Sequence, residues 1–276
     1  MKRLLMAVLA ACLCLSLTGC DSVKTFLADV LAGIVNGDNE ADDDDDVILD
    51  AWAGLVNNER HEAYADGNFL RYGDHVYTIV REIDSATREF KTATASVTFT
   101  NVPSGFTEFQ AVYEGLLGKS IAGTAAMIPM AMEIYARNAA EGERCFGLLC
   151  NGPATVSEIT RELVRKLEPS RFSPENDSYI QRYLPAAVLK GAVPSNAYAP
   201  EKPYTVEMTM SPNGVKAAPL TGGEVTYIYI LAGGWDTYQR GVDIFQADGS
   251  DHYKVFNCPS CYTQCKQIRG TWAGLE

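Results

Sequence analysis

The strongest constraint on how this chain folds is a change of hydrophobic period. Through residues 107–192 the apolar side chains recur at helical spacing, and from Tyr204 onward they alternate. In YTVEMTM, Val206, Met208 and Met210 alternate with Thr205, Glu207 and Thr209. In VTYIYIL, Ile228 and Ile230 alternate with Tyr227 and Tyr229. Period two sends successive side chains to opposite faces, so each run predicts a half-buried strand. GVDIFQADGSDHYKVF adds two strands folded back at Asp248-Gly249, a strong hairpin signal.

The helical part divides at its own punctuation. Phe109, Val112, Tyr113, Leu116 and Leu117 make one stripe. Ala122 to Ala140 makes a second, in which Pro129 either kinks the helix or marks a restart. TVSEITRELVRKLEP starts at Ser157 and stops at Pro169, with Ile159, Leu163, Val164 and Leu167 on one face. DSYIQRYLPAAVLKGA predicts a shorter, proline-interrupted helix. Ahead of the boundary NVPSG (Asn101 to Gly105), HVYTIVREI and EFKTATASVTF read as strands joined by the loop DSATR, and Ile48, Trp52, Leu55 and Val56 suggest a short helix.

The fold class expected is therefore α+β: an N-terminal β-hairpin region, then central helices packed on one face of a C-terminal antiparallel sheet. A nuclear-transport-factor-like cone suits that order. The expected organisation is a signal peptide over 1–19, a tether over 20–46, an N-terminal helix plus β-hairpin region over 47–104, and an α+β domain over 105–276.

YLPAAVLKGA, the following NAYAPEKPYTVEM (Asn196 to Met208) and the strand-rich segment after it resemble an uncharacterised domain that recurs in exported envelope lipoproteins of gut bacteria. The resemblance covers about residues 107–270 and rests on structural motifs, so it implies an exported α+β domain and transfers no functional residue.

The N-terminus points the same way. Lys2 and Arg3 precede an apolar run from Leu4 to Leu17, shorter than the roughly twenty residues a membrane span needs. The run ends in LTGC, which resembles a bacterial lipobox with Cys20 as the lipidated residue. Two or more acyl chains such as palmitate, at about 0.8 kcal/mol per buried CH₂, anchor a protein stably. The expected location is the bacterial cell envelope, held to the lipid bilayer outside the cytoplasm. That compartment offers neither nucleotide nor nucleic acid as a partner.

Half of the formal net charge of −12 lies in residues 1–46, mostly in DNEADDDDD (Asp38 to Asp46). Consecutive aspartates repel one another and bury nothing, which predicts an extended spacer in preference to a calcium loop. Between Cys20 and this run, Val23, Phe26, Leu27, Val30, Leu31 and Ile34 predict one amphipathic helix. A basic nucleic-acid footprint is absent.

Catalytic motifs are scarce. GLLGKS (Gly115 to Ser120) resembles the end of a phosphate-binding loop, but Tyr113 stands where its first glycine belongs, so Gly118 reads better as a helix C-cap. His61-Glu62 begins no zinc-protease pair, since position 65 is alanine, and no Gly-x-Ser-x-Gly elbow is present. The reading leans away from an enzyme, with a hydrolase on an unrecognised carboxylate pair left open. Tyr227, Tyr229, Trp235 and Tyr238 are the ligand-binding candidates, because tyrosine and tryptophan offer flat apolar area with a polar edge to a sugar or a protein.

Five cysteines follow Cys20: Cys145, Cys150, Cys258, Cys261 and Cys265. VFNCPSCYTQCKQI has the local grammar of a thiol oxidoreductase, strand then Cys-Pro-x-Cys, yet only fifteen residues follow Cys261, too few for the rest of such a domain. Disulfide staples with undetermined partners are expected, and zinc on Cys258, Cys261, Cys265 and His252 is the alternative. The function expected is a non-enzymatic, membrane-anchored envelope lipoprotein that binds an envelope protein or glycan. The alternative is an extracytoplasmic thiol-redox or zinc-binding protein centred on the C-terminal cysteines.

Overall fold

The computed structural model of the chain describes residues 64–83, 94–167, 181–218 and 222–268. These belong to the second of two compact units, His61–Glu276. The expected signal peptide, Cys20, the expected amphipathic helix, the aspartate run, the short helix expected around Trp52 and the DSATR stretch lie outside the described residues.

Four strands come first: β1 (Tyr64–Asp66), β2 (Phe69–Tyr72), β3 (His75–Arg81) and β4 (Thr94–Phe99). Four more close the chain: β5 (Tyr204–Ala217), β6 (Glu224–Leu231), β7 (Gln239–Gln246) and β8 (Tyr253–Asn257). All eight form one antiparallel sheet in chain order. The α+β class is as expected. The N-terminal strands form the expected hairpin, β3 with β4, and continue the C-terminal sheet. The joint is β4 with β5, in register from Phe99 opposite Tyr204 to Thr94 opposite Thr209. Ala95, Val97 and Phe99 thereby face the same side as Met208, Val206 and Tyr204, and all six are buried. A one-residue slip would turn one of these sets to solvent, which fixes the register.

Between the halves lie α1 (Phe106–Gly115), α2 (Ile121–Arg137), α3 (Ala139–Leu149), α4 (Pro153–Leu167) and the single turn α5 (Leu184–Ala187). Every residue of α2 except Arg137 is buried. A helix apolar on all sides belongs in a core, and α2 touches β3 and β4 in one half of the sheet and β7 and β8 in the other. Its length, about 25 Å at 1.5 Å per residue, matches the five strand spacings from β3 to β8, about 24 Å. The helix continues through Pro129 without a restart, because packing on all sides offsets the lost hydrogen bond. Ser120 caps it by accepting from the Gly123 N–H at 2.8 Å, and Glu82 accepts from the Ala122 N–H at 3.1 Å, a carboxylate at the positive end of the helix.

The stripes on α1 and α4 are buried as their spacing predicts, at Phe109, Val112 and Tyr113 and at Ile159, Leu163 and Leu167. Gly118 has a different job from the one expected. α1 ends at Gly115 with Leu116 as its C-cap, and a 3₁₀ turn, Leu117–Lys119, follows. A Cβ on Gly118 would stand 2.6 Å from the Tyr113 carbonyl, so glycine is there for close approach.

One of the buried charged groups stands on the central helix. Glu133 of α2 is fully buried and accepts from Arg182 through both oxygens, at 2.6 and 2.5 Å, and from Arg137 Nε at 3.1 Å. This pair ties the segment that opens α5 to the central helix.

Candidate functional site

One face of the sheet packs on the helices, so the other presents the alternate residues. In β6 these are Val225, Tyr227, Tyr229 and Leu231, all half-buried. Register extends the face sideways: Thr94, Thr209, Tyr229 and Gly241 form one row, and Arg81, Ser96, Glu207 and Leu231 the next. The second row lines an open groove of about 460 Å³ together with Val80 and Thr94. Arg81 donates to Thr94 Oγ1 at 2.8 Å, and Glu207 pairs with Lys190 at 2.7 Å, so charged groups are held at the groove in fixed positions.

Tyr227 and Tyr229 meet edge to face with centroids 5.2 Å apart. Tyr227 also leans over Gly241, where a Cβ would come within 2.3 Å of its hydroxyl. Glycine at 241 thus lets a tyrosine lie flat on the sheet, and Asp243 stands opposite Tyr227 on β7. Burial raises the Asp243 carboxyl above its ordinary range, and burial followed by the neighbouring Tyr229 raises Tyr227. Such a surface can stack on flat apolar area and exchange hydrogen bonds with polar edges.

The four aromatic candidates lie in two places. Tyr238, 60 % exposed, and Trp235 belong to the loop between β6 and β7. Trp235 is only 7 % exposed and lies under the Arg240 guanidinium, 4.9 Å from the ring centroid. The reason is the Gly233-Gly234 pair before it. A Cβ on Gly234 would meet the Ala187 Cβ at 2.7 Å, so the loop lies tight on α5 and carries Trp235 inward.

The cysteines separate as well. All five are buried free thiols. Cys145 and Cys150 lie in and just after α3, and Cys150 bridges to Val255 of β8. Cys258 caps a single 3₁₀ turn, Pro259–Cys261, that ends on Cys261, and the Cys261 N–H donates to the Cys258 carbonyl at 3.0 Å. Cys265 is held elsewhere: its N–H donates to Gln181 Oε1 at 2.9 Å, and Gln181 Nε2 donates back to its carbonyl at 2.7 Å. His252 sits in the turn before β8, bonded to Asp251 at 2.6 Å, with the whole strand between it and Cys258. The zinc set Cys258, Cys261, Cys265 and His252 is therefore not brought together. Among the described residues no group of three or more His, Cys, Asp or Glu is placed to hold a metal ion. Hydrogen bonds pin the C-terminal segment instead of a cross-link: Lys266 N–H donates to the Gly234 carbonyl at 2.8 Å and Tyr198 donates to the Lys266 carbonyl at 2.7 Å.

One polar cluster was not anticipated from sequence. Glu108, in the first turn of α1 and 2 % exposed, accepts from Tyr77 Oη at 2.6 Å and from the Ser104 N–H and hydroxyl at 2.7 and 2.8 Å. Its Oε1 also lies 2.6 Å from His75 Nδ1. The carboxylate thus fastens β3 to the start of α1. Glutamate at this position is a common helix-start signal, and that was the only local trace of the cluster. His75 and Tyr77 carry no spacing that marks them as its partners.

The family described as a domain of unknown function (DUF6935) matches residues 101–269, from the start of the helical layer through β5–β8 to the C-terminal segment. No curated protein and no solved structure matches.

Proposed function

Because the chain belongs to the DUF6935 family, whose function is unknown, we propose from its own residues that it is an acyl-anchored, extracytoplasmic binding protein of the bacterial envelope. Its ligand in this reading is a glycan, taken on the outer sheet face by Tyr227 and Tyr229, with Arg81, Ser96 and Glu207 as the polar partners. The observation that carries the reading is the Tyr227–Tyr229 pair beside a groove lined by charged and hydroxyl side chains. Sugars present flat C–H faces and rings of hydroxyls, and such a surface matches both. The anchor in this reading is Cys20 in LTGC, with the aspartate run as spacer, and the family is one carried by exported lipoproteins of gut bacteria. The thiol-redox and zinc alternative has less support, because its ligands lie apart.

Two measurements test the two halves. Cells fed a palmitate analogue should label the wild-type chain and not Cys20→Ala, and the variant should leave the membrane fraction. An array of neutral and acidic polysaccharides should retain the wild-type chain, and Tyr229→Ala should weaken that binding about tenfold, the effect of one stacking contact of about 1.4 kcal/mol. Binding unchanged in Tyr229→Ala, or retention by envelope proteins in place of glycans, would overturn the glycan assignment.

A further inference from the structure

The C-terminal Cys-Pro-Ser-Cys stretch has no part in the proposed binding face, yet its geometry is specific. β8 ends at Asn257, and Pro259–Cys261 form one 3₁₀ turn in which the Cys261 N–H donates to the Cys258 carbonyl at 3.0 Å. That i to i+3 hydrogen bond closes a turn whose ends stand within about 7 Å at their Cα atoms, the span a disulfide bridges. Pro259 at its first position fixes the backbone for it. The turn is held from outside: Ser260 Oγ donates to the Gly241 carbonyl at 3.0 Å, Arg240 Nη1 donates to the Ser260 carbonyl at 3.4 Å, and Tyr262 donates to Glu158 at 2.9 Å.

The other three thiols have different neighbours. Cys145 lies among Glu141 and Arg144 of its own helix, and Cys265 is bonded to Gln181. Cys150 is the competitor by place, since its backbone pairs with Val255 three residues before Cys258, but it sits on a separate segment.

We propose that Cys258 and Cys261 are a built oxidation site, closed as an intramolecular disulfide, while Cys145, Cys150 and Cys265 stay thiols. The oxidant is an external disulfide of the extracytoplasmic space. A thiolate from one cysteine attacks it and releases one external thiol. The second cysteine, deprotonated, then displaces the other. One S–S bond forms and one breaks, two electrons pass to the external disulfide, and the two protons end on its two thiols. Both sulfurs are buried in the folded chain, at 1 % and 0 % exposure, so exchange belongs to the folding chain and the finished bond is shielded from reductant. This marks the pair as structural, in contrast to the exposed thiol at a helix N-terminus that redox catalysis needs. In the cell the proposal rests on the extracytoplasmic location read above, whereas the pairing itself does not.

The test separates the two. Full-length chain is unfolded in urea, refolded in a mixture of oxidised and reduced glutathione, unfolded again and alkylated with iodoacetamide, and its peptides are weighed. The expected result is a peptide spanning Cys258 and Cys261 that is two hydrogens lighter and unalkylated, with Cys145, Cys150 and Cys265 alkylated. Cys261→Ser should leave Cys258 alkylated. Cys258 and Cys261 both alkylated, or a Cys150–Cys258 cross-linked peptide in the wild type, would overturn the proposal. Because glutathione is supplied, this outcome is independent of where the cell sends the chain, which palmitate labelling decides.

Discussion

Removing Arg182 probes the least forgiving interaction in the core. Glu133 is fully buried on the central helix, and Arg182 meets both of its oxygens, at 2.6 and 2.5 Å. Replacing one partner of a buried ion pair costs about 3–5 kcal/mol, because the remaining charge keeps its desolvation penalty and loses its compensation. Arg137 still donates to Glu133 at 3.1 Å, but its side chain is 34 % exposed and reaches only one oxygen. The lower end of that range therefore applies, and Arg182→Ala should cost about 3 kcal/mol. At about 2–4 °C per kcal/mol for a unit of this size, the thermal midpoint followed by circular dichroism should fall by about 6–12 °C. The double variant Arg182→Ala with Glu133→Gln removes the stranded charge and should recover about half the loss, a coupling that a double-mutant cycle in urea reads directly. A loss under about 1 kcal/mol in the single variant, or a double variant as unstable as the sum of its parts, would refute the argument.

Two further perturbations follow from packing and burial. Gly142→Ala puts a Cβ within 2.2 Å of the Tyr135 Cα and 2.6 Å of its N, where α3 crosses α2. Backbone cannot yield as a side-chain tip does, so urea unfolding should show a loss of about 1–3 kcal/mol, and an unchanged midpoint would count against this packing. Alkali should also destabilise the unit. Burial pushes the Cys145, Cys150 and Cys265 thiols up to about 12, from an ordinary value of 9.0. A raised folded pKa means that the stability is whole below about pH 9 and drains away as pH rises toward 12, at up to about 1.4 kcal/mol per unit for each thiol. The urea midpoint should therefore drop between about pH 9 and pH 12, and Cys150→Ser should make that drop shallower.

Much of the architecture could be read from local pattern. Val206, Met208 and Met210 alternate into the core, and Ile159, Leu163 and Leu167 line one helix face, because the periods of strand and helix leave their mark residue by residue. Long-range pairing leaves no such mark. Nothing in TASVTF announces that β4 will lie beside YTVEMT more than a hundred residues later, and the two halves of the sheet therefore read as separate regions. The candidate site divides in the same way. Tyr227 and Tyr229 could be placed on the face opposite the isoleucines from alternation alone. The inward turn of Trp235 depends on Gly234 lying against Ala187, and the Glu108 cluster depends on His75 and Tyr77 arriving from another strand. The cysteines resolved only in three dimensions, since spacing gave three neighbours and geometry kept two.

The β4–β5 joint has a consequence for how the molecule comes into being. A nascent chain that has emerged through α4 carries an open edge at β4 and a central helix with no polar side to turn toward water. Neither is fully covered until β5 to β8 exist, so the first half cannot complete its core early. Unpaired edges and bare apolar helices are what aggregate during slow, non-local folding. This topology suits a chain that is kept unfolded by an outside agent until its last strand is available.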